Sequence, residues 1–131
     1  MDFREEENLT LIRKNGMLPR IPFSDIKNAL LGKKYNLSVN FVTPPEAKKL
    51  NEDYRQKDYV PNVLSFPLSE TEGEIYICLS IVRSGAKEFE LSYAEFLHLI
   101  FIHGCLHLKG HDHSSTMEEL EEKYLKKFYR G

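Results

Sequence analysis

From Phe96 to Leu108 the sequence reads Phe-Leu-His-Leu-Ile-Phe-Ile-His-Gly-Cys-Leu-His-Leu, apolar on nearly every side of a helix. Such a helix has no face to offer water, so it must be the central element of the fold, wrapped by its neighbours. Ser92 and Glu95 form the capping-box signature that opens it. Gly110 ends it, because glycine readily takes the left-handed conformation at a C-terminal cap. His103 and His107 stand in this apolar surround and must be satisfied by a metal ion or by buried partners.

The two histidines are four residues apart, on one face of the helix and close enough to share one ion. Beyond Gly110 the chain can turn back and deliver another imidazole. His113 completes the spacing H-x3-H-x5-H, with glycine at the seventh place after the first histidine, which is the metzincin arrangement. His111, in the same turn, is the competing donor. Three imidazoles with no fourth protein ligand leave one position of a tetrahedral ion open, the coordination of a catalytic zinc; a structural zinc is normally closed by four ligands. One Zn2+ is therefore the expected cofactor, with nickel, iron and other divalent metals also acceptable to three imidazoles. His98 lies about 140° round the helix from His103 and is expected to be a satisfied or exposed histidine instead of a ligand. Asp112 has two readings, a carboxylate that orients a ligand imidazole and a simple turn residue.

A zinc peptidase of this geometry carries Glu directly after the first histidine, as general base. Here that position is Gly104, which moves no proton, and no acidic residue lies between His103 and His107. Peptide hydrolysis by that route is disfavoured. The metal is left to act as a Lewis acid and to lower the pKa of its water. Phosphodiester cleavage suits such a site, because negative charge builds on phosphoryl oxygens and a guanidinium fork stabilises it. Arg55, at the end of a helix beginning at Pro44, is the best candidate for that fork. By spacing alone a surface salt bridge is the simpler reading of Arg55.

The 131 residues fit one domain, 1–131, with a core of its own. A hydrophobic fraction of 41% and a charged fraction of 29% are ordinary for a globular protein, and a net charge of −2 does not advertise nucleic-acid binding. No apolar run reaches transmembrane length, and Met1 to Glu7 has no signal-peptide shape, so the expectation is a cytoplasmic protein with no membrane partner. Cys78 and Cys105 form no CxxC pair and read as small buried hydrophobes.

Leu9 to Arg13 reads as a first strand, with Asn15-Gly16 as a turn. Phe23 to Leu31 reads as an amphipathic helix capped by Ser24, with Phe23, Ile26 and Leu30 inward. Leu37 to Val42 alternates as a half-buried strand. Thr43-Pro44-Pro45-Glu46 opens a helix running to about Tyr54. Val63 to Phe66 and Glu74 to Leu79 are short strands, and Ser80 caps a helix to about Phe89. A last amphipathic helix spans about Thr116 to Tyr129, with Met117, Leu120, Tyr124 and Phe128 inward. The interspersion predicts an α+β fold: a small mixed sheet of about four strands packed by helices, its central buried helix carrying the metal motif.

His103 to His113 reads H-G-C-L-H-L-K-G-H-D-H. It resembles H-G-x-L-H-L-x-G-Y-D-H, the signature of the YbeY family of bacterial endoribonucleases, with His111 in place of tyrosine. Leu50 to Pro67 is similar to that family's L-N-x-x-Y-R-x-K-D-x-x-T-D-V-L-S-F-P, departing at Pro61 and Asn62, where Thr-Asp is usual. Gly73 to Cys78 resembles G-D-I-x-I-C, with Glu74 for the aspartate. The resemblance implies a zinc-dependent hydrolase of single-stranded RNA, acting in 16S ribosomal RNA 3′-end maturation and ribosome quality control. It implies metal ligands at His103, His107 and His113, a functional arginine at Arg55, and ribosomal RNA and the small ribosomal subunit as partners. The departure at Asn62 puts in doubt any role the family gives that position, and His111 adds a further donor. Two rivals remain beside the endoribonuclease: a metzincin-like zinc peptidase, and a non-catalytic ribosome-associated protein with structural zinc. The oligomeric state is not legible.

Overall fold

The computed structural model describes residues 2–13, 17–111 and 114–130. Its elements run β1 (Asp2–Glu6), β2 (Leu9–Arg13), α1 (Phe23–Leu31), β3 (Asn36–Phe41), α2 (Pro44–Arg55), β4 (Val63–Pro67), β5 (Glu72–Ile77), α3 (Leu79–Glu88), α4 (Tyr93–Leu108) and α5 (Ser115–Leu125). A wider, π-helical turn over Lys126–Arg130 continues α5. The strands form one mixed sheet in the order β1-β2-β3-β5-β4. Antiparallel hairpins at the two edges flank the parallel pairs β2–β3 and β3–β5. The architecture is the expected α+β sheet packed by helices, with five strands where about four were read.

The additional strand is β1, hidden in the charge-rich stretch Asp-Phe-Arg-Glu-Glu. It pairs with β2 through a tight turn in which Asn8 adopts φ 60°, a conformation asparagine tolerates better than most residues. The Asn15-Gly16 turn lies outside the described residues. Two expected caps are also revised. Pro22 occupies the N-cap of α1 and Cys78 that of α3, neither with a side-chain hydrogen bond, so Ser24 and Ser80 fall inside the first turns. Leu79, read as the end of a strand, opens α3 instead. The box at Thr43 is formed as expected: Thr43 Oγ1 accepts from Glu46 N, and Glu46 Oε1 accepts from Thr43 N.

Leu9 and Leu11, then Leu37, Val39 and Phe41, then Ile75 and Ile77 share one face of the sheet by register, and all are buried. Period-two alternation puts them there, and α1 and α4 cover them. The position of α4 at the centre follows from its composition. It packs against α1, α3, α5, β4 and β5, with Leu97, Phe101 and Ile102 fully inaccessible. Cys105 is equally buried, and burial pushes its thiol pKa far above the usual range, so it is a neutral apolar group. No single helix among the described residues is long and apolar enough to cross a membrane.

Gly104 is where α4 comes nearest the sheet. A Cβ added there would stand 3.1 Å from Ile75 Cδ1 and 3.2 Å from Ser65 Oγ, and Ser65 Oγ donates to Gly104 O at 2.9 Å. Replacing Gly104 with Val overfills this contact and breaks the seat of the helix. The expected loss is about 1–3 kcal/mol, read as a lower urea midpoint with unchanged slope.

Candidate active site

A cleft of about 810 Å³ opens along α4. Phe96, Leu99, Ile100, His103 and His107 line it, spaced as one stripe of the helix. Arg55 lines the same cleft, as do Gly110, His111 and Glu121. Elements distant in sequence thus converge: the end of α2, the second half of α4 and the middle of α5.

His103 and His107 are the best-defined pair. Their rings meet edge-on, centroids 4.6 Å apart, and their Nε2 atoms stand 3.1 Å from each other. Two imidazole nitrogens held about 2.0–2.1 Å from one tetrahedral ion would be about 3.3 Å apart, so the pair has the bite of a single metal. Glu121 Oε2 accepts from His103 Nδ1 at 2.8 Å, and both side chains are less than one-fifth exposed. That bond places the His103 proton on Nδ1 and turns the Nε2 lone pair toward His107. With that proton on Nδ1, His107 Nε2 is the donor to His103 Nε2.

The turn beyond α4 is closed as its glycine predicts. Gly110 has φ 104°, its N–H donates to His107 O, and His111 N–H donates to Leu106 O, both at 3.0 Å. This pattern ends the helix sharply. Asp112 and His113 lie outside the described residues. Among the described residues no three His, Cys, Asp or Glu side chains group closely enough to hold one ion. His111 lines the cleft but joins no such group among the described residues. His98 is no part of the site: it is buried, with Nδ1 donating to Ala94 O at 2.7 Å and its ring against Tyr129.

Arg55 is placed by the end of α2. Gln56 takes φ 57°, turning the chain, and the buried Asn51 donates from Nδ2 to Tyr59 O at 3.0 Å, pinning the segment that follows. Arg55 Nη2 donates to Ser65 O at 2.6 Å, and its guanidinium lies 5.1 Å from the centre of the Phe66 ring. Among the described residues the ion pairs of α2 are Lys48–Glu52, Lys48–Asp58 and Lys49–Asp53. Arg55 joins none of them, which removes the simpler salt-bridge reading within that set.

A family model described as Endoribonuclease YbeY matches residues 22–129. The chain belongs to the YbeY endoribonuclease family. It is 30% identical over 135 residues to the endoribonuclease YbeY of Mesoplasma florum, covering 95% of this chain and 80% of that one. Against the endoribonuclease YbeY of Thermotoga maritima it is 38% identical over 102 residues, covering 72% and 68%. The solution structure of TM1509 from Thermotoga maritima superposes with a TM-score of 0.57 at 33% identity, covering 79% of this chain and 77% of that one.

The roles of two residues of this YbeY-family site escape motif reading. Ser65 escapes because its role is to receive Arg55 and to grip Gly104, which only the packing shows. Glu121 sits in the run Glu118-Glu119-Leu120-Glu121-Glu122, which reads as a solvated face. One signal was available: Glu121 is four residues after Met117 and three before Tyr124, so it falls on the inner stripe of α5. A carboxylate there needs a buried partner. In metal-free protein, at a pH where the rings are neutral, 15N NMR should find His103 as the Nδ1–H tautomer. Glu121→Ala should abolish that preference without unfolding the protein.

Proposed function

We propose that this chain is a zinc-dependent endoribonuclease that cuts single-stranded RNA, with ribosomal RNA of the small subunit as its substrate. The observation that carries the reading is the meeting, in one cleft, of a histidine pair with the bite of one ion and a guanidinium outside any described ion pair. Membership of an endoribonuclease family supplies the substrate class.

In this reading His103 and His107 hold the metal, and His113 completes the set. Bound zinc supplies Lewis acidity and a water of lowered pKa. Glu121 keeps His103 in the tautomer whose Nε2 lone pair faces the ion, an outer contact whose loss typically lowers metal affinity about 10–100-fold. Arg55 gives one N–H to Ser65 O and keeps the rest of its fork for phosphoryl oxygens. The peptidase reading is disfavoured by Gly104, whose Cβ direction meets Ile75 and Ser65, so a side chain there would press on the sheet.

His107→Ala is expected to abolish tight zinc binding and leave a folded protein, because a continuous apolar core already surrounds Leu97, Phe101 and Ile102. Metal analysis, circular dichroism and a melt decide it; complete unfolding on zinc removal would favour structural zinc.

Arg55→Lys keeps the charge and loses the planar two-pronged donor. The variant should retain zinc and fold, bind RNA with modest loss, and cut at least about a hundredfold more slowly in single turnover. Near wild-type cutting would remove Arg55 from the mechanism.

A further inference from the structure

The cleft contains more apolar surface than a phosphate site requires. Phe89 and Tyr59 line it with 65% and 55% of their surface exposed, among the most exposed large hydrophobic residues of the protein. Two such rings lining one cleft add to an exposed apolar patch, the kind of surface that marks an interaction site.

Both rings are carried on pinned backbone. Phe89 caps α3, where its N–H donates to Gly85 O at 3.1 Å. Glu90 follows at φ 57°, and Leu91 N–H donates to Ala86 O at 2.9 Å, closing the helix end. One side of the Phe89 ring packs on Phe96, with centroids 5.6 Å apart. Tyr59 sits outside regular structure, yet its carbonyl is held by Asn51, which is 1% exposed. Backbone held in this way reduces the entropy lost when something stacks on the rings it carries.

From Phe96 to His107 the lining stripe of α4 runs about 16 Å, several times the 3.4 Å rise of one stacked nucleotide. Arg55 and the histidine pair occupy part of that length, the aromatic and aliphatic residues the rest. A ligand matching both parts carries phosphates and flat apolar faces in alternation. Duplex RNA keeps its base faces stacked inside and presents only backbone, whereas an unpaired strand can turn its bases outward onto aromatic rings.

We infer that Phe89 and Tyr59 are base-stacking platforms that make the cleft select unpaired RNA. The inference rests on the endoribonuclease reading and assigns the strand selectivity of that site to two residues outside the metal motif. Neither ring takes part in the chemistry; they position the strand while Arg55 and the histidines act on the phosphate.

The chain contains no tryptophan, so Phe89→Trp installs a single reporter at the platform. In chelator, where no strand is cut, a single-stranded oligoribonucleotide should quench its emission to saturation. A duplex of equal length should quench weakly, and inorganic polyphosphate not at all. Phe89→Ala and Tyr59→Ala should each weaken single-strand binding about 5- to 100-fold, with circular dichroism and zinc content unchanged. Equal quenching by duplex and single strand, alanine variants that bind like wild type, or stronger quenching by an apolar peptide than by RNA would overturn the platforms. RNA cleavage by the zinc-loaded wild type is measured in parallel. Selective binding without cleavage would overturn the enzymatic reading alone, and cleavage with unaffected alanine variants would overturn the platforms alone.

Discussion

Ser65 joins the two halves of the site. Its hydroxyl donates to the Gly104 carbonyl on α4, and its own carbonyl receives the Arg55 guanidinium from the end of α2. One residue of an edge strand therefore fixes the distance between the helix that carries the histidines and the side chain that faces them. The contact depends on Gly104, because a side chain at that position would lift α4 off Ile75 and Ser65. The residue that makes this motif unlike a peptidase is also what lets the helix seat.

The histidine pair shows how a buried helix tolerates polar groups. His98, His103 and His107 all lie on α4, and those with described partners are satisfied in different ways. His98 is closed off by the Ala94 carbonyl one turn back and by the Tyr129 ring. His103 is held by Glu121, and its second nitrogen is left toward His107. A carboxylate bonded to one nitrogen both fixes the tautomer and raises the basicity of the other. α5, which at sequence level is an acidic amphipathic helix, thereby becomes part of the site.

Most of the architecture was legible because the local signals were strong. Period-two alternation located β3, the Thr43 box located α2, and the apolar run located α4. The elements that were misread carry weak or contradictory local signals. β1 is a short, charged edge strand that owes its form to pairing with β2, and α1 and α3 begin without side-chain caps. Lys27 is a further case. It lies fully buried on the inner face of α1, its ammonium donating to Lys33 O and Asn28 Oδ1. A lysine is read as exposed by default, and the carbonyl that receives it comes from the chain beyond the helix.

The sequence by itself determined the α+β class, the central helix, the four-residue spacing that brings His103 and His107 together, and the family. All of these rest on periodicity, on helix geometry, or on motifs contiguous in the chain. The sequence nominated Arg55, but tertiary structure alone showed that it shares a cleft with the histidines and that Glu121 bonds one of them. Arg55 arrives from α2 and Glu121 from α5, 48 and 18 positions away from His103. Phe89 and Tyr59 share their cleft only because α3, the segment after α2 and α4 pack in one particular arrangement. Local propensity sets the direction of a side chain relative to its own element; which element stands opposite is settled by how the apolar faces close over one core.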